Sequence, residues 1–179
     1  MSKEFKYGGY AGKELRIDLS KGEVKKTPLS EEMCALYIGG RGLDAKTLYD
    51  ELDPSIDPLS PENILCLSAG PIVGLLGPTT GRMNVASKSP LTNIYGNSNV
   101  GTYLGAELKA SGYDRIIIKG RASQPSYLYI EDDLVEVRSA SHLWGKGVIE
   151  TTRILQEDLG EDRRCLLYTS DAADEGLGV

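Results

Sequence analysis

Apolar and polar positions alternate at the front of the chain. Leu15, Ile17 and Leu19 fall on one side of residues 13–19, and Glu14, Arg16 and Asp18 on the other. That is the period of a half-buried strand. Ser20-Lys21-Gly22-Glu23 supplies a turn and Val24 to Pro28 a return, so a hairpin is expected. The period then lengthens. Ser30 is placed to cap a short helix, with Glu31 and Glu32 in its first turn, where the helix dipole favours acids. Met33, Leu36 and Tyr37 form its expected apolar face. A second helix is predicted from about Leu43 to Leu52, with Ala45, Leu48, Tyr49 and Leu52 along one stripe. Pro54, Pro58 and Pro61 then interrupt regular structure. Asn63 to Ala69 is a short apolar run that reads as a buried strand, with Cys66 as a core residue. Arg115 to Gly120 carries Ile116, Ile117 and Ile118, the pattern of a strand buried on both faces. Tyr127 to Glu131 and Leu134 to Arg138 flank Asp132-Asp133, a surface hairpin with solvated acids. Val148, Thr152, Leu155 and Leu159 mark a last helix ending near Gly160.

The middle of the chain carries the candidate chemistry. Gly81-Arg82-Met83-Asn84-Val85 reads as a strand. Gly96-Asn97-Ser98-Asn99-Val100-Gly101 follows as a polar loop. Val100, Tyr103, Leu104 and Leu108 then predict a helix over Val100 to Ser111, with Asn99 or Ser98 at its N-cap. A helix beginning at such a loop presents free N–H groups, which attract phosphate. Arg82 is a fixed cation on a strand that can return to the same place. Two readings stay open on this pattern: a site for a phosphorylated cofactor, or a turn that only starts a helix. Gly39-Gly40-Arg41-Gly42 is open in the same way, between an anion contact through Arg41 and a tight helix–helix corner. His142 has no partner nearby in sequence and reads as structural, and Trp144 as a packing anchor.

Composition narrows the classes. A net charge of −6 argues against a nucleic-acid surface. The start Met1-Ser2-Lys3-Glu4-Phe5-Lys6 lacks the apolar core of a secretory signal, and no run reaches the length of a membrane span. Residues 165–179, from Cys165-Leu166-Leu167-Tyr168-Thr169-Ser170-Asp171, read as one translated frame of a transposon-derived sequencing adapter. They are expected to be foreign to the domain, which is drawn as residues 1–164. Cys34 and Cys66 then remain, far apart and without metal-cluster spacing.

Seven phrases occur in one order: Asp57-Pro58-Leu59-Ser60-Pro61-Glu62-Asn63, Ala69-Gly70-Pro71, Gly81-Arg82, Lys88-Ser89-Pro90-Leu91-Thr92, Gly105-Ala106-Glu107-Leu108-Lys109, Gly112-Tyr113-Asp114 and His142-Leu143-Trp144-Gly145-Lys146. The ordered set resembles the N-terminal domain of the aldehyde ferredoxin oxidoreductase family, the tungsten-pterin enzymes, from about Tyr10 to about Gly160. The resemblance implies an α+β fold rich in β-structure, with two β-sheets and several short helices. It implies an enzyme that oxidises small aldehydes to carboxylic acids and passes electrons to ferredoxin. The cofactor would be a tungsten or molybdenum bis-pterin (a bis-molybdopterin) with Mg, beside a [4Fe–4S] cluster whose ligands lie beyond residue 164.

On the matching positions, Arg82 is expected to contact pterin. Asn99 is expected to offer its backbone carbonyl to the Mg joining the pterin phosphates, and Gly101 an N–H to a phosphate. Asn97 takes the place of Asn99 if the register slips by two; counting back from Gly105 without a gap selects Asn99. Val100 and Thr102 depart from the smaller residues usual there. No catalytic residue is expected in this stretch, which alone would be inactive. The alternatives are a same-fold subunit of a carboxylate or aromatic acyl-thioester reductase, and a cofactor-free scaffold. The expected setting is an anaerobic cytoplasm, as a homo- or hetero-oligomer, without nucleic-acid or membrane partners.

Overall fold

A computed structural model describes residues 6–160 except Thr79 and Thr102. The proposed tail from residue 165, with Cys165, lies outside the described residues. The strands are β1 (Lys13–Asp18), β2 (Glu23–Pro28), β3 (Ile64–Ala69), β4 (Arg82–Lys88), β5 (Tyr95–Gly101), β6 (Arg115–Lys119), β7 (Ser126–Glu131) and β8 (Leu134–Ser139). The helices are α1 (Glu31–Tyr37), α2 (Arg41–Glu51), α3 (Leu104–Ala110) and α4 (Val148–Leu159). Six strands form one sheet in the order β2-β1-β6-β3-β4-β5, and β7-β8 form a second. The expected α+β architecture with two sheets and short helices is therefore present.

The register sorts side chains onto two unlike faces, because residues opposite one another in a ladder point the same way. On one face lie Leu15, Ile17, Ile116, Leu67 and Met83. Leu108 of α3 and Tyr113 complete this core, and Leu128, Ile130, Val135 and Val137 of the second sheet pack against it. Each fully buried aliphatic side chain here contributes about 1.5–3 kcal/mol. Gly105 and Ala106 let α3 approach closely. A Cβ at Gly105 would sit 3.0 Å from Val73 Cγ1 and 3.3 Å from Met83 Cβ.

The other face is mixed. Leu48 of α2 packs with Ile64, Cys66, Ala86 and Ile117. Beside it run Glu14, Arg115, Ser68 and Asn84, all buried and aligned by the ladders. Glu14 is thus not on a solvated side of β1: it is buried and accepts from Arg16 Nε and Thr27 Oγ1.

Several helix stripes differ from the periodicity. α2 buries Leu43, Asp44, Thr47 and Leu48, while Tyr49 is 85% exposed. Asp44 turns the helix, because its carboxylate has buried donors and Tyr49 has none to satisfy. In α1, Ser30 caps as expected, its hydroxyl accepting from Met33 N, but Cys34 is the buried residue and Leu36 is exposed. α4 runs as predicted yet buries no residue. Trp144 is exposed rather than an anchor. His142 Nε2 lies 3.1 Å from Asp158 Oδ2 at the surface of α4.

Candidate functional site

The largest correction falls on the central stretch. Residues 95–101 are the edge strand β5, and the helix starts three residues later, with Tyr103 at its N-cap. Neither Asn99 nor Ser98 caps it, and Gly101 is not in its first turn. The seven-residue ladder with β4, from Arg82↔Gly101 to Lys88↔Tyr95, outweighs the weak strand propensity of this Gly/Asn sequence. Val100, Leu104 and Leu108 still pack on one core, so spacing alone does not separate a strand end plus a helix from one longer helix.

The strand brings the candidate residues together more directly than a helix would. Arg82 faces Gly101, Asn84 faces Asn99, and Ala86 faces Asn97. Alternate residues of a strand share a face. Arg82, Asn84, Asn97, Asn99 and Gly101 therefore lie on the side of the sheet that carries α2. Among the described residues β5 has no neighbour on its far side, so alternate backbone N–H and C=O groups along it form a free edge.

A cavity of about 370 Å³ lies against this face. Arg41 at the start of α2 and Arg82 at the start of β4 line it, with Ser68, Asn84 and Asn99. Gly39, Gly40 and Gly70-Pro71 supply its backbone wall, and Ile38, Ile72 and Val73 its apolar part. No carboxylate lines it among the described residues. Gly101 is not in the lining: it sits beside Arg82, whose Cγ would lie 4.0 Å from a Cβ placed there.

A buried polar cluster underlies the cavity. Asp44 accepts from Ser68 Oγ and, at 2.7 Å, from Asn84 Nδ2. Arg115 Nη2 donates to Thr47 Oγ1 at 2.7 Å and lies 3.6 Å from Asp44 Oδ1. Arg115 Nη1 is 3.8 Å from Glu14 Oε2. Burial pushes the Asp44 carboxyl above its ordinary range, opposed by its bonds to Ser68 and Asn84 and by Arg115. Asn97 stands between Asn84 and Arg41. One end of its amide is 3.2 Å from Asn84 Oδ1 and 3.1 Å from both Nε and Nη2 of Arg41. A guanidinium only donates, and two charge-assisted bonds outweigh one neutral bond. The amide oxygen therefore faces Arg41 and accepts from both nitrogens.

The cavity wall is tied down from the opposite side. Lys109 of α3 donates to the carbonyl of Gly9 and to those of Gly70 and Pro71, both at 3.1 Å. Burial lowers the Lys109 ammonium pKa, with Asp114 opposing. Asp114 accepts from Ala11 N at 3.0 Å and Gly12 N at 2.7 Å, and burial raises its carboxyl.

Sequence reasoning singled out Arg82, Asn99 and Gly101 and left Arg41 open; Arg82, Asn99 and Arg41 line the cavity and Gly101 does not. It missed Asp44 and Asn84. An acid within an expected amphipathic helix, one turn after Gly-Gly-Arg-Gly, was the available signal.

The two described cysteines, Cys34 and Cys66, are free and buried. Burial pushes the Cys34 thiol up to about 11 and the Cys66 thiol up to about 12. Among the described residues no group of three or more His, Cys, Asp or Glu could hold a metal ion. No helix among them is long and apolar enough to cross a membrane.

The sequence matches the family described as aldehyde ferredoxin oxidoreductase, N-terminal domain, over residues 14–176. It is 46% identical over 157 residues to the tungsten-containing aldehyde ferredoxin oxidoreductase of Pyrococcus furiosus, covering 88% of this chain and 26% of that protein. It is 41% identical over 158 residues to an aliphatic sulfonate oxidoreductase, WOR-like subunit, of the same organism, covering 87% of this chain and 25% of that one. Among solved structures it is similar to the active site complex BamBC of benzoyl coenzyme A reductase in complex with 1,5-dienoyl-CoA. That likeness has a TM-score of 0.84 at 40% identity, over 87% of this chain and 24% of the other. The chain spans about a quarter of the length of the curated relatives it matches.

Proposed function

The chain belongs to the aldehyde ferredoxin oxidoreductase family, and from that premise we propose that it is the front part of a bis-pterin oxidoreductase containing tungsten or molybdenum. The whole protein oxidises small aldehydes to carboxylic acids and passes the electrons to ferredoxin. Residues 1–164 are the domain on which the cofactor lies, and 165–179 are a tail foreign to it. An oxygen-poor cytoplasm suits the assembly.

The observation that carries this reading is the cavity: two arginines, amide side chains, an open strand edge and no carboxylate lining it among the described residues. This donor set fits an anionic, phosphate-bearing ligand, since arginine pairs with phosphate in a fork and a lining carboxylate would repel it. When bound, the cofactor supplies the two-electron redox chemistry. Arg82 orients a polar pterin edge and provides a permanent positive charge. Asn99 would offer its backbone carbonyl to Mg, and Gly101, beside Arg82 just outside the lining, would offer its N–H to a phosphate. The [4Fe–4S] cluster is held by residues outside those described, and the stretch alone is inactive.

The test is to express the full-length gene anaerobically and measure tungsten, molybdenum and aldehyde-dependent reduction of a viologen dye. Tungsten or molybdenum bound in proportion to polypeptide, with aldehyde oxidation, is expected. Arg82→Ala is expected to lose most of the metal. A full-length protein with neither metal nor activity sinks the enzyme reading and favours a cofactor-free scaffold, and unchanged metal in Arg82→Ala sinks the role proposed for Arg82. The likeness to a benzoyl coenzyme A reductase complex supports a second reading, a subunit reducing an aromatic acyl thioester. Metal-loaded protein that turns over such a thioester but no aldehyde selects it.

A further inference from the structure

We propose that Arg41 is a second anion-binding residue of the cavity, clamped by Asn97 so that its guanidinium meets a phosphate group of the ligand together with Arg82. This inference rests on the reading of the cavity as a phosphate-ligand site.

Three observations carry it. Arg41 and Arg82 line the same cavity from different elements, with no described carboxylate in the lining. The Asn97 amide lies 3.1 Å from Nε and from Nη2 of Arg41. A solvated arginine at a helix corner has no such clamp; this one is held by one edge of its fork, which leaves Nη1 to donate elsewhere. The third observation concerns the backbone at its root. Gly40 N donates to Ala69 O at 3.3 Å. A Cβ on Gly39 would lie 3.1 Å from Gly70 Cα, so the corner sits directly against the end of β3. Asp44, one turn further along α2, fixes the helix rotation through Ser68 and Asn84. Arg41 is therefore presented by a fixed backbone and a fixed side-chain partner.

Fixing an arginine before the ligand arrives removes part of the ordering cost of binding. An amide suits the clamp better than a carboxylate, because it orients the guanidinium without neutralising it. Asn97 thus acts as a positioning residue, through Arg41.

The test uses the 179-residue chain with inorganic pyrophosphate as the probe, followed by calorimetry at low salt and again at 0.5 M NaCl. Arg41→Gln is expected to bind about tenfold more weakly or worse, the loss of a charge-assisted contact. Arg41→Lys should recover part of that loss. Asn97→Ala is expected to weaken binding severalfold, and Asn97→Asp more, because it cancels the charge. Near-UV circular dichroism of each variant checks folding, and Arg41 is exposed enough for both substitutions to be tolerated. Binding that is unchanged in Arg41→Gln but lost in Arg82→Ala overturns the proposal, as does wild-type chain that does not bind pyrophosphate. These outcomes are separate from the metal content of the full-length protein, which decides the enzyme reading.

Discussion

At the scale of single residues, the buried polar side chains make the sharpest predictions. Asp44 is fully buried and Arg115 is 2% exposed. Breaking a buried ion pair costs about 3–5 kcal/mol, and here Glu14, 3.8 Å from Arg115 Nη1, remains as a second counter-charge and holds the loss at the lower end. Asp44→Ala is expected to lose that much in urea unfolding. The pH dependence has a definite sign. Burial raises the Asp44 carboxyl above its ordinary 3.8, so the folded state keeps a proton that the unfolded chain has released. Stability then falls as pH rises from 3.8 through the folded value. The advantage of wild type over Asp44→Asn should shrink as pH rises above about 4. A widening advantage would mean that Arg115 outweighs burial. Tyr113 predicts the opposite effect. It is 0% exposed, and its hydroxyl has no hydrogen-bond partner among the described residues. An unsatisfied buried hydroxyl costs about 1–3 kcal/mol. Tyr113→Phe is expected to raise the urea midpoint, and a lowered midpoint would reveal a partner for the hydroxyl.

At the scale of elements, the corner between α1 and α2 is the tightest joint. A Cβ on Gly42 would stand 2.2 Å from Tyr37 O and 3.1 Å from Tyr37 C. Those are backbone atoms, so no side-chain rotation relieves the clash. Gly42→Ala is expected to cost about 1–3 kcal/mol or more by forcing the two helices apart. Because Arg41 is the adjacent residue, the same variant should also weaken pyrophosphate binding; an unchanged midpoint would show that the corner yields freely. β5 makes a different point about elements. Its residues are poor strand formers, yet it completes the sheet because β4 offers it seven paired positions. Its value to the site lies in that edge position.

At the scale of the whole molecule, the sheet is closed late in the chain. β6 lies between β1, which it meets in parallel, and β3, which it meets antiparallel. Residues from three widely separated segments must therefore assemble before the core is complete, a topology dominated by non-local pairing. A chain ending at Gly112 lacks the central strand as well as Tyr113 and Asp114. It should show no cooperative unfolding. A chain ending at Gly160 should retain the fold, as measured by circular dichroism on urea titration. Loss of cooperative unfolding in that second truncation would assign residues 161–179 a structural role.

Much of this protein was legible in one dimension because short-range physics determines it. The alternation of Leu15 and Ile17, the three isoleucines of β6, the Asp132-Asp133 hairpin and the Ser30 cap each depend on neighbours within a few positions. The ordered phrases around Gly70, Arg82, Gly105 and Tyr113 carried the family; of the three residues that the resemblance proposed, Arg82 and Asn99 line one cavity and Gly101 does not. Only the tertiary structure decided that residues 95–101 pair as a strand, since the ladder energy comes from β4 and not from the Gly/Asn sequence. It also decided which side of α2 is buried. Helical periodicity assumes an apolar core, and here the sheet presents Arg115, Ser68 and Asn84 to the helix. An acid was the residue that matched them. Arg41 stayed ambiguous for the same reason: its clamp, Asn97, is brought to it by a strand register that no local pattern encodes.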